Sequence, residues 1–254
     1  MSVREIDAAR LADAVARLYV KACLELPEPV KRKLYAFGNP YIIENFEKNG
    51  IIPLCQDTGM AAVYLEIGQD VHLTGDIPGA VNEGVRRAVK EGYLRASIVA
   101  DPLRRTNTGD NTPACLYTDL VPGDTVKVTV TPRGFGCENK ARVRMLAPAD
   151  GLEGVKAFVL ETARLAVPDA CPPVMLGVGI GGSFDRVAYM SKKAVLREGP
   201  NPDPFYADLE RELYERTKKF SIGVNIAAAP THIAGLPCAV SVGCHSLRYA
   251  SEVI

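Results

Sequence analysis

No lysine, arginine, aspartate or glutamate occurs between Lys219 and Arg248. A stretch that long without charge has to leave water, and either a bilayer or a protein core must receive it. Pro230 and Pro237 interrupt it, Asn225, Thr231 and His232 lie within it, and its hydropathy is too modest for a membrane span. It therefore reads as a buried strand, a loop and a second buried strand. A chain of 254 residues supports the necessary core, because at this size about three quarters of the unfolded surface is removed from water on folding.

Charge and cysteine content narrow the setting. The chain carries 30 basic and 30 acidic residues, so no net field draws nucleic acid or an anionic membrane, and neither is expected as a partner. An anionic substrate has to be held by local groups. Seven cysteines, at 23, 55, 115, 137, 171, 238 and 244, are odd in number, widely spaced and without a CxxC pair, and the sequence shows no signal peptide. That pattern favours a reducing cytoplasm over a disulfide framework. It also excludes the local spacing of a zinc finger, so any metal site has to be assembled from distant segments.

Periodicity supplies the scaffold. Val3 to about Leu26 reads as an amphipathic helix, with Leu11, Val15, Leu18 and Ala22 on one stripe and Ser2 as N-cap, ended by Pro27 and Pro29. A shorter helix follows over 30–37, and another from Gly38-Asn39-Pro40 to Gly50. Residues 1–50 thus form a helical N-terminal arm, joined as one structural unit to a larger domain over 51–254. In that domain Ala61–Ile67 is a strand, Asp76-Ile77-Pro78-Gly79 opens a helix that ends at Gly92, and strands follow at Cys115–Asp119 and Thr125–Thr131. Gly151–Val167 is a helix, Val174–Ser183 a buried strand with a glycine-rich turn, and 184–198 and 205–219 are two more helices. The fold class expected is mixed α/β, of the α+β kind, with helices packed around short mixed β-sheets.

Several loops carry more chemistry than a reversal needs. Cys55-Gln56-Asp57-Thr58-Gly59 places a soft ligand, an amide, a carboxylate and a hydroxyl on consecutive positions, although a plain turn with a buried thiol also accounts for it. Arg95, between Leu94 and Ala96-Ser97, is either a surface arginine or a bidentate grip on a carboxylate. Asn107 to Pro113 is dense in turn formers and polar side chains, and Gly134 and Gly136 flank Phe135 in a loop that is either an oxyanion-binding backbone or a bulged hairpin. Cys171-Pro172-Pro173 pins a thiol before the buried strand. Gly177, Gly179 and Gly182 satisfy GxGxxG only weakly as a dinucleotide loop, since two fall inside the strand. His232 and Cys244-His245 lie in the charge-free stretch.

In order, these segments resemble the iron-sulfur-dependent class I fumarate hydratases, in particular the alpha subunit of the two-subunit form shared with L-tartrate dehydratase. The resemblance runs from about residue 25 onward. It implies three cysteine ligands to a 4Fe-4S cluster with one iron lacking a protein ligand. By motif these are Cys55, Cys171 and, in Gly243-Cys244-His245-Ser246-x-Arg248, Cys244, a better match than Cys238. Cys137 stands where relatives usually carry serine, while Cys23 and Cys115 read as packing residues.

The resemblance also implies the reaction. Interconverting malate and fumarate removes a weakly acidic C–H proton and expels hydroxide, which an open iron assists as a Lewis acid. It places substrate contacts on Gln56, Asp57, Arg95, Gly134, Gly136 and His232, with Asp57 and His232 as the catalytic pair nearest the leaving oxygen. The proton-abstracting group and further carboxylate anchors come from a beta subunit, so the chain is expected to be inactive alone and to assemble as α2β2. The alternatives are an L-tartrate dehydratase alpha subunit and, from another class, a non-catalytic iron-sulfur sensor or assembly module.

Overall fold

The structure is a computed structural model that describes residues 3–38, 43–44 and 52–254. The helix expected over 38–50 lies almost wholly outside the described residues. Contacts separate two compact units: residues 1–27, 44–134 and 248–254 form the first, and 28–43 and 135–247 the second. The division thus falls elsewhere than at residue 50, and the first helix packs into the first unit instead of standing as an arm. The fold class is mixed α/β, as the periodicity indicates.

The first unit opens with a strand, β1 (Arg4–Asp7), and not with the helix. Ile6 is wholly buried between exposed Glu5 and Asp7, a period of two too short to read in sequence. β1 pairs in parallel with β3 (Val71–Thr74), so α1 (Ala8–Leu24) starts later than its apolar stripe allows. Its N-cap is Asp7, whose Oδ1 accepts the Ala9 N–H at 2.7 Å, in place of Ser2. A four-stranded sheet has the order β10 (Ala250–Val253), β5 (Val126–Arg133), β2 (Met60–Gly68), β4 (Cys115–Val121). β5 runs antiparallel to both neighbours, and β2 and β4 are parallel. Val126, Val128 and Val130 of β5 are fully buried with Leu11, Val15 and Leu18 of α1 and Val81 and Val85 of α3 (Ile77–Glu91). Each such side chain contributes about 1.5–3 kcal/mol.

The second unit takes α2 (Glu28–Ala36), α4 (Phe135–Glu138), β6 (Arg142–Leu146), α5 (Gly151–Ala166), β7 (Val174–Gly181), α6 (Phe184–Val195), α7 (Pro204–Thr217), β8 (Ser221–Ala229) and β9 (Leu236–Gly243). Its sheet order is β6-β9-β7-β8, with β7 parallel to β8 and antiparallel to β9. The charge-free stretch is β8, a loop and β9, as its composition requires. β7 is buried along its whole length. A Cβ on Gly177 or Gly179 would stand 2.2 Å from Ser191 O or 2.3 Å from Val187 O. These glycines therefore let α6 lie directly on the strand. In place of a bulged hairpin after Gly134, the chain makes the single helical turn α4.

Candidate active site

In the first unit the corner Cys55–Gly59 leads into β2, and its backbone carbonyls are held by buried donors. Tyr19 Oη donates to Thr58 O (3.2 Å) and Gly59 O (2.9 Å), and Arg248 Nη2 donates to Asp57 O at 2.8 Å. Thr58 Oγ1 donates to Arg95 O at 2.9 Å. Asn111 Nδ2 donates to the same carbonyl at 2.9 Å, while Asn111 Oδ1 accepts the Ser97 N–H at 2.6 Å. The Arg95 backbone is thus fixed from two sides, and its exposed side chain donates from Nη1 to Gln56 Oε1 at 2.6 Å. Asp57 Oδ1 accepts the Gly59 N–H at 3.0 Å, and a Cβ on Gly134 would stand 3.1 Å from Asp57 Oδ2. Gln56, Asp57, Arg95 and Gly134 are therefore brought together at the Cys55 corner, with Cys55 itself half-buried.

The holding groups Tyr19, Asn111 and Arg248 were not read from the sequence as functional. Asn111 stands in the polar loop 107–113, and Arg248 closes the Cys244 motif. Asn111 is wholly buried at φ 59°, a left-handed conformation that asparagine tolerates better than most residues. Burial pushes the Tyr19 phenol well above its ordinary value and the Cys23 thiol up to about 12.

In the second unit Cys171 is exposed at φ 51°, directly before Pro172 and β7. Its carbonyl accepts the His245 N–H at 3.1 Å, and His245 Nδ1 lies 3.3 Å from Pro172 O, so the Cys171 and Cys244 segments are laced together. Cys244 is half-buried, with Sγ 3.1 Å from Ser246 Oγ. A hydrogen bond with Cys137, helped by Ser246 and the His245 charge, holds the Cys244 thiol well below its ordinary value despite burial. Cys137 also donates to Ala170 O at 3.6 Å, which places it among the same loops. Cys238 is wholly buried in β9, and burial pushes its thiol up to about 12. Gly136 is exposed in α4. His232 is exposed in the loop after β8, where Nδ1 accepts the Ala234 N–H at 3.2 Å, so a neutral ring carries its proton on Nε2.

Among the described residues no three His, Cys, Asp or Glu side chains form a ready-made metal group. Within each unit the accessible thiols have the chemistry an iron-sulfur ligand needs: Cys55 in the first keeps solvent access, as do Cys171 and Cys244 in the second, where Cys244 is biased toward thiolate. Cys23 and Cys238, sealed and protonated, do not fit.

The chain matches the model of the fumarate hydratase (Fumerase) family over residues 12–253. It belongs to that family. Its relatives include a protein of Methanocaldococcus jannaschii named "Putative L(+)-tartrate dehydratase subunit alpha", 35% identical over 96% of this chain and 98% of that one. The L(+)-tartrate dehydratase subunit alpha of Escherichia coli K12 is 33% identical over 80% of this chain and 72% of its own length. The family is one of hydro-lyases, and the fumarate hydratase match takes in all seven cysteines and every residue of the corner, leaving out β1 and the start of α1. No helix among the described residues is long and apolar enough to cross a membrane.

Proposed function

We propose that this chain is the cytoplasmic alpha subunit of an iron-sulfur-dependent hydro-lyase that interconverts fumarate and (S)-malate together with a beta subunit. The observation that carries the reading is the Arg95 side chain, presented beside Gln56 and Asp57 on backbone that Thr58 and Asn111 hold in place. That is a preorganised carboxylate grip adjoining a half-buried thiol.

Cys55, Cys171 and Cys244 are the residues that would hold a 4Fe-4S cluster, one iron of which has no protein ligand. Such a group supplies Lewis acidity toward the departing hydroxyl. Arg95 keeps one N–H on Gln56 and turns the rest of its planar fork to a substrate carboxylate. Gly134 and Gly136 let backbone approach that carboxylate closely. Asp57, oriented by the Gly59 N–H, positions the substrate hydroxyl, and His232, with its proton on Nε2, donates to the oxygen as it leaves. Dehydrating malate breaks one C–H and one C–O bond and releases water. The electrons of the C–H bond become the new C=C bond, and its proton passes to a base on the beta subunit, which also anchors the second carboxylate.

The names of the relatives favour a second reading, in which the diacid is L-tartrate. Co-expression with a beta-type partner, anaerobic reconstitution and assay of malate, fumarate and tartrate separate the two. Turnover of malate and fumarate supports the first reading and turnover of tartrate alone the second, whereas an iron-loaded complex that turns over none of them refutes the enzyme. An α2β2 assembly is expected in size exclusion, with the alpha chain inactive by itself.

A further inference from the structure

Arg248 opens the last segment of the first unit and is 3% exposed. Its carbonyl accepts from Thr131 Oγ1 at 2.7 Å, which ties it to β5, and its Nη2 donates to Asp57 O at 2.8 Å. Its Nε and Nη1 are buried and meet no partner among the described residues. A guanidinium removed from water without a counter-ion is strongly unfavourable, because desolvation is unopposed.

Among the described residues no side chain forms an ion pair with Arg248. Tyr19 and Cys23 both feel the Arg248 charge, which favours their ionised forms, yet burial outweighs it and keeps both protonated. Asp57 offers Arg248 its carbonyl, while its carboxylate turns to the Gly59 N–H. The positive charge thus waits beneath a corner whose chemistry is to gain negative charge. In sequence it also closes the segment that carries Cys244.

We propose that Arg248 is a positioning residue and built-in counter-cation for the Cys55–Gly59 corner: Nη2 fixes Asp57 through its carbonyl, and the charge on Nε and Nη1 offsets the negative charge of a thiolate-held iron-sulfur cluster. This rests on the cluster reading above. A fixed cation nearby favours the more negative, reduced cluster, so removing it lowers the reduction potential.

The test compares wild type, Arg248→Gln and Arg248→Lys, each reconstituted anaerobically with the beta partner. Iron and sulfide per chain and the midpoint potential from an EPR-monitored redox titration are measured. Arg248→Gln is expected to shift the reduction equilibrium about tenfold toward the oxidised cluster, about 59 mV for a one-electron couple. Arg248→Lys, which keeps the charge, stays within about twofold of wild type. A wild type that assembles no cluster overturns the cluster reading and this proposal with it. A loaded Arg248→Gln with an unmoved potential overturns this proposal alone. Should Arg248→Gln fail to fold, Arg248→Lys decides: a potential within about twofold of wild type supports the counter-cation, and a tenfold shift despite the retained charge refutes it.

Discussion

Asn111→Ala tests whether the carboxylate grip proposed for Arg95 depends on a buried residue that holds only its backbone. Asn111 is fully buried, donates to Arg95 O at 2.9 Å and accepts from Ser97 N at 2.6 Å. The two losses are unequal. Arg95 O retains Thr58 Oγ1 at 2.9 Å, so that deletion costs only a net hydrogen bond, about 1 kcal/mol. The Ser97 N–H loses its acceptor in a part-buried setting, which costs about 1–3 kcal/mol. Alanine at φ 59° adds about 1–2 kcal/mol of left-handed strain. The sum is roughly 3–6 kcal/mol, and Asn111→Gly should recover the strain share because glycine adopts this conformation freely. Hydrogen exchange of the β2 and β5 amides reads the opening free energy of the first unit without assuming that the whole chain unfolds in one step. In the reconstituted complex, loosening the Arg95 backbone should raise KM for the diacid about tenfold, equivalent to about 1.4 kcal/mol, with a smaller change in kcat. Exchange within about 0.5 kcal/mol of wild type, together with an unchanged KM, would refute the positioning argument. An Asn111→Gly protein as unstable as Asn111→Ala would refute the strain share.

Three further outcomes follow from the geometry. Serine at Cys55, Cys171 or Cys244 should each abolish stable iron and sulfide binding, whereas Cys238→Ser should retain both and lose only stability, about 1–3 kcal/mol for the buried hydroxyl; iron and sulfide content with a thermal melt decides. Gly179→Ala places a Cβ 2.3 Å from the Val187 carbonyl, backbone that cannot swing aside, so overpacking of about 3 kcal/mol should lower Tm by roughly 6–12 °C. Finally, Cys23 and Cys238 have folded pKa values near 12 against about 9 unfolded. A raised folded value means that their contribution to stability is complete below about pH 9 and is lost as pH rises toward 12; urea midpoints of the cluster-free chain should fall across that window, and less steeply in Cys238→Ala.

Elements with a long period or an unmistakable composition were legible in the sequence. The valines of β5 and α3 and the charge-free β8 and β9 follow directly from period and burial. β1 was not, because its few residues carry one buried side chain and owe their extended form to pairing with β3, remote in sequence. The GxGxxG run shows how one pattern serves two purposes. Glycines that approach a phosphate and glycines that admit a helix onto a strand look alike until Val187 and Ser191 are seen against them. The domain division also escaped, since the first unit is closed by residues 248–254, which return to β5 from the far end of the chain.

The candidate site divides the same way. Residues proposed to meet a substrate or a metal stand out by type, so Cys55, Asp57, Arg95, Cys171 and Cys244 could be singled out from their neighbours in the chain. Residues that hold those in place work through backbone carbonyls, and any donor of the right length serves there. Tyr19 on α1 is an unremarkable aromatic on an apolar face until its hydroxyl meets Thr58 O and Gly59 O. Asn111 looks like a turn former until both ends of its amide are spoken for. The corner is therefore only as well placed as Tyr19 and Arg248 make it, and the Arg95 backbone beside it only as Asn111 and Thr58 make it; each of these groups forfeits its hydrogen bonds if its partner moves. Because a buried donor without an acceptor costs about as much as a hydrogen bond returns, the same groups that fix the corner also penalise every other arrangement of it. A loop that would otherwise be a soft lead-in to β2 gains the rigidity of the core, and the Arg95 backbone shares that rigidity through Thr58, as the proposed carboxylate grip requires.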